Sequence, residues 1–151
     1  MQKLIWFLGI DETIRRHAAA VWPVVESISE RLLNEFYSDV SQCEAVAALE
    51  PEIVERLKKN QLKHWKALLT SDFSEDYFKR ASLIGIMHRE VDLDPKWFIA
   101  GYFRLTQEIV RSVLALPLPL DERYEMMHAF SKCIALDMAL AVSSYSSWLV
   151  D

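Results

Sequence analysis

Apolar residues in this chain recur at steps of three and four over almost its whole length, the spacing of one face of an α-helix. The opening Leu4-Ile5-Trp6-Phe7-Leu8 reads as a short pre-helix that packs onto a neighbour. Asp11, after Gly9-Ile10, caps a helix from Glu12 to about Trp22. Pro23 fits the first turn of the next helix, Pro23 to Val40. On it Val25, Ser29, Leu32, Phe36 and Val40 share a face, with Ile28, Leu33 and Tyr37 alongside. Ser41 to Glu50 reads as at most a short helix around Glu44–Ala48. Pro51 opens a helix to about Leu69, broken by Thr70-Ser71-Asp72. Ser74, with Glu75 and Asp76 in the first turn, starts another that ends near Val91. Asp92-Leu93-Asp94-Pro95 is a corner, with Asp94 as cap and Pro95 at the first helical position. The helix from Pro95 to about Leu116 is apolar on more than one side, and Leu116-Pro117-Leu118-Pro119 stops it. Asp121 caps a last helix that is again apolar on more than one face beyond Cys133. With no repeat or linker, residues 1–151 form one all-α domain. Its two C-terminal helices carry more apolar surface than one core requires.

Composition sharpens this picture. Of the 151 residues, 52 % are hydrophobic and 11 % aromatic, and only three are glycine. A chain of this size and richness buries its own core, with little turn material for a sheet. The net charge is −5 with both signs interspersed, which speaks against nucleic-acid binding. Cys43 and Cys133 match no zinc or CxxC spacing and read as reduced thiols in a cytoplasmic protein. The most apolar stretch, Cys133 to Val150, is interrupted by Asp137, Ser143, Ser144, Ser146 and Ser147, so no membrane span is expected. The N-terminal apolar run is short and leads into Asp11-Glu12, unlike a cleaved signal peptide.

Chemistry-capable side chains sit inside two apolar stripes. Tyr77, Ala81, Ile84, Gly85 and His88 share a face, which turns His88 toward the core. It is either a core histidine with a hydrogen-bond partner or a ligand, since neutral imidazole is a common haem-iron ligand. On the helix from Pro51, the face of Ile53, Leu57, Gln61, His64 and Leu68 has Asn60 at its edge. Either its C-terminal half is exposed, or it is a pocket wall with a few placed polar groups. Tyr37 is a half-buried packing residue or a donor aimed into the same pocket.

The string Ile84-Gly85-Ile86-Met87-His88-Arg89-Glu90-Val91-Asp92-Leu93-Asp94-Pro95-Lys96-Trp97-Phe98-Ile99-Ala100-Gly101-Tyr102 resembles the proximal-histidine signature of the globin-coupled sensors. Phe36-Tyr37 is similar to the family's distal tyrosine pair, and Arg56-Leu57-Lys58 through His64 to its distal helix. The three pieces stand in the family's order. The resemblance implies a globin-like fold, haem b as cofactor and His88 as the iron ligand. It implies haem contacts from Tyr37, Leu57, Asn60, Gln61, His64, Ile84, Met87, Val91, Leu93, Phe98 and Tyr102. Tyr37, helped by Gln61, would donate to bound dioxygen, with carbon monoxide and nitric oxide as further ligands. His64 lies one turn beyond Gln61, about 5 Å along the axis, which weighs against iron ligation by it.

Two positions depart from the family pattern. Asp92 stands where glycine is common, and Phe98 replaces a tyrosine beside Trp97, so no role of that hydroxyl carries over. Members are usually input modules of longer proteins with a diguanylate cyclase, histidine kinase or chemotaxis transducer behind. This stretch holds no catalytic motif of its own, and is expected to be a sensor rather than an enzyme. It looks like an excised or free-standing sensor domain that dimerises through its two C-terminal helices. The alternatives are a haem-free globin-like domain that binds a regulatory partner, and a peroxidase or dioxygenase, for which no distal acid–base pair is evident.

Overall fold

A computed structural model describes residues 1–44 and 48–145. Six helices follow in order: α1 (Gln2–Phe7), α2 (Glu12–Val40), α3 (Pro51–Thr70), α4 (Glu75–Glu90), α5 (Pro95–Leu114) and α6 (Leu120–Tyr145). No strand occurs among the described residues. Local chemistry sets several boundaries as expected. Asp11 Oδ1 accepts from the Ile14 amide at 2.9 Å, and Asp94 Oδ1 accepts from Lys96 at the same distance. Pro51 and Pro95 occupy first-turn positions, where a missing N–H costs nothing.

Pro23 does not begin a helix. It lies inside the 29-residue α2, which runs unbroken through the expected boundary at Trp22. The ring removes the amide that would bond the Ala19 carbonyl, but Ala19 is exposed and water can replace that bond. Val21 and Val25 on either side are wholly buried and hold the helix to the core across it. Asp121 likewise is no cap, because α6 begins one residue earlier and Asp121 lies in its first turn. Residues 45–47 of the expected short helix, and the end of the last helix beyond Tyr145, lie outside the described residues.

The apolar excess of α6 has a simple cause. This helix is central, packing on α4 and α2 most extensively and on α5 and α3 as well. Two faces therefore turn inward: Phe130, Ile134 and Ala141 are buried with Met138 half-buried on one, and Cys133, Leu136 and Ser144 are buried with Leu140 half-buried on the other. Helix α5 behaves differently. Phe98, Leu105 and Ile109 enter the core, while Ile99, Phe103 and Leu114 stay exposed. At the N-terminus Leu4, Ile5 and Leu8 pack on the core, and Lys132 of α6 donates to the carbonyls of Leu8 and Gly9. Both cysteines are free thiols.

Candidate functional site

The site grows from the inner face of α4. Tyr77, Ala81 and Gly85 are buried, and the stripe ends at the half-buried Ile84 and His88. Gly85 lets α4 cross α6 at very short range: a Cβ there would lie 2.0 Å from both the Ala141 carbonyl oxygen and Ser144 Oγ. One turn further, the His88 Nδ1 lies 2.7 Å from the Ile84 carbonyl oxygen. A carbonyl only accepts, so this contact places the ring proton on Nδ1 and leaves the Nε2 lone pair free. Burial lowers the His88 pKa, and its bond to Ile84 opposes this only in part. The side chain is therefore a neutral imidazole with an available nitrogen.

The backbone after His88 holds it in place. The Leu93 amide donates to the His88 carbonyl at 3.1 Å and the Asp92 amide to the Arg89 carbonyl at 3.0 Å. This is the Schellman ending of a helix, and Asp92 takes its left-handed position with φ 58°. The departure from glycine thus leaves the corner's shape intact, with the strain carried by an aspartate, a residue that tolerates it. We expect Asp92→Gly to raise stability by up to about 1 kcal/mol and Asp92→Val to lower it by about 1–2 kcal/mol. Thermal unfolding checks this, and equal stability of the two variants would contradict the corner assignment.

Phe98 packs its ring 4.7 Å from that of His88, and Tyr145 lies 5.5 Å beyond Phe98. The Tyr145 hydroxyl is buried without a hydrogen-bond partner. Tyr37 is half-buried near the end of α2, where Arg104 of α5 pairs with Asp39 and covers the Phe36 ring at 5.8 Å. Burial pushes the Tyr37 hydroxyl up to about 12, so it stays a proton donor. Helix α3 is anchored at one end only. Its C-terminal half buries His64, Trp65, Leu68 and Leu69, whereas Ile53, Leu57 and Gln61 remain half-buried. The open half is thus the N-terminal one, opposite to the exposed-face alternative, and α3 touches α4 only lightly.

The structure brings His88, Ile84, Phe98 and Tyr102 together, with Leu93 half-buried in the corner. Asn60, Met87 and Val91 stand exposed on the polypeptide. His64 is not turned to an open pocket: its Nε2 lies 2.8 Å from Asp137 Oδ1 in the core. Sequence reasoning noted Asp137 only as an interruption of an apolar stretch. Its partners come from other helices, so no local spacing announces them.

The protoglobin family model matches residues 1–149. The chain belongs to the protoglobin family. A curated relative, the heme-based aerotactic transducer HemAT of Halobacterium salinarum, is 24 % identical over 151 residues, 92 % of this chain. The chain spans only 31 % of that relative's length. Among solved structures, the globin domain of a Geobacter sulfurreducens globin-coupled sensor superposes with a TM-score of 0.83 at 18 % identity. The match covers 97 % of this chain and 98 % of that one. This protoglobin therefore has the globin fold, and the corner carrying His88 lies within the part matched.

Proposed function

We propose that this protoglobin is a haem-based gas sensor domain, in which His88 would hold the iron. One observation carries the reading: a neutral imidazole in an apolar setting, with Nδ1 tied to its own helix and Nε2 free. That is the donor a haem iron takes from a globin helix. The rest of the site fits as well. Among the described residues no cluster of three or more His, Cys, Asp or Glu side chains competes for a metal. The buried Tyr145 hydroxyl near Phe98 also lacks a partner that a polar group could supply. Haem would supply an iron centre that takes dioxygen, carbon monoxide or nitric oxide. A haem titration followed by visible absorption tests the reading. One haem per chain supports it, and absence of a Soret band overturns it.

In this reading Ile84 orients the His88 ring, and Phe98 and Leu93 exclude water around it. Leu57 and Gln61, with Asn60 at the edge, form the wall on α3, while Met87, Val91 and Tyr102 complete the surround. Tyr37 holds a proton toward a gas molecule in the pocket, and Gln61 is the second donor. Losing the Tyr37 hydroxyl removes about 1–2 kcal/mol of hydrogen bonding, so Tyr37→Phe should release dioxygen roughly 5–30-fold faster. Stopped-flow release at the parent rate would remove Tyr37 from this role.

The exposed stripe of Ile99, Phe103 and Leu114 on α5, with Leu120 and Tyr124 on α6, supports a homodimer built on these helices as a four-helix bundle. Since the chain covers a minor part of its transducer relative, the signal is proposed to pass from the dimer to an output domain such as a diguanylate cyclase. Activity then belongs to that domain, and the site here binds without catalysing, in the cytoplasm. Sedimentation should give a dimer at micromolar concentration. A species of 17.6 kDa would discard the bundle and the route through it.

A further inference from the structure

Asp137 lies in the middle of α6 at 2 % exposure. Its Oδ1 accepts from His64 Nε2 of α3 at 2.8 Å and from the Tyr77 hydroxyl of α4 at 2.7 Å. Its Oδ2 accepts from the Tyr102 hydroxyl of α5 at 2.7 Å. Burial alone would push this carboxyl up, but His64 and the two tyrosine hydroxyls outweigh it and keep it below the usual carboxylate range. Burial and the nearby charge raise Tyr77 and Tyr102, so both stay donors, and the neighbouring Cys133 thiol is pushed up to about 12. A well-packed apolar group would stabilise the centre of a bundle at least as well as a buried ionic one. What the carboxylate adds is direction: three bonds that fix three helices relative to a fourth.

Those three helices carry His88, Phe98 and the Leu57–Gln61 wall of the proposed site; Tyr37 on α2 stands outside the network. From Asp137 one path runs through Tyr102 to Phe98, with ring centroids 6.1 Å apart, and on to His88 at 4.7 Å. The other runs through His64 to the turn of α3 that carries Gln61. We infer that Asp137 is a positioning residue that couples the His88 side of the site to the α3 wall. This deepens the sensor reading and rests on it. A shift of Phe98 moves Tyr102, and the shared carboxylate relays it to His64, so α3 answers a change made beside His88. Such coupling is reciprocal by necessity.

Hydrogen exchange read by mass spectrometry on the purified chain tests this. Tyr102→Phe keeps the ring against Phe98 and removes only the bond to Asp137. We expect amides around Gln61–Trp65 of α3 to exchange on the order of tenfold faster in that variant, the size of one lost hydrogen bond to a charged group. In His64→Leu the acceleration should appear around Phe98–Tyr102 of α5. His64→Gln, which retains an N–H donor, should restore most of the protection. Exchange that rises only in α5 and α6 in Tyr102→Phe, or rises evenly over the whole chain, would overturn the inference. The readout comes from the polypeptide, so a chain that fails to take up haem would sink the sensor reading separately.

Discussion

His88→Ala is expected to cost more than about 100-fold in haem affinity, with the largest loss of any single substitution in the site. The scale follows from coordination chemistry: removing a group that merely orients a ligating histidine already costs 10–100-fold. On the proposed reading the ligating atom itself goes, and no second histidine stands ready. His64 is 9 % exposed and its Nε2 is held by Asp137, while the other imidazoles, His17 and His128, lie on α2 and α6 away from the corner. Added imidazole should restore a Soret band, because alanine leaves the space of the ring beside Phe98. Full occupancy with the parent spectrum would mean that the iron is held elsewhere.

Gly85→Ala should lower stability by about 3 kcal/mol or more, despite the better helix propensity of alanine. The new methyl group would lie 2.0 Å from a backbone oxygen of α6. A carbonyl cannot swing aside as a long side chain can, so one helix has to move. Because α6 touches four other helices, the displacement spreads. In a domain of this length that corresponds to a fall in Tm of roughly 6–12 °C. Adding Ser144→Ala removes the second clash, at Ser144 Oγ, and should recover little. Full recovery in the double variant would show that the side chain alone, and not the helix backbone, sets the spacing.

How much of this was legible beforehand differs from residue to residue. Helix starts at Asp11, Pro51 and Asp94-Pro95 were readable because a cap or a first-turn proline is a local device. Pro23 misled for the same reason: locally, a proline inside a helix looks like one that begins it. Only the buried Val21 and Val25 and the exposure of Ala19 decide the matter, and those are properties of the packed molecule. His88 was readable as an inward residue from the stripe through Ala81 and Gly85, though not the bond that fixes its tautomer. Asp92 was readable as a departure, and the left-handed corner explains why glycine suits that place. Asp137 was the main omission. Its three donors are 73, 60 and 35 residues distant, beyond the reach of periodicity.

That carboxylate also bears on where α6 can end up as the chain is made. The helix is 26 residues long and apolar enough, by length and composition, to cross a bilayer. Placed in lipid, however, Asp137 would stand near mid-span, where an aspartate costs about 3 kcal/mol, and it would face hydrocarbon without His64, Tyr77 or Tyr102. Those donors belong to helices made before α6 in the chain. The same acid that is expensive in a membrane finds its three hydrogen bonds in the globin core, which gives an otherwise ambiguous helix a preferred destination.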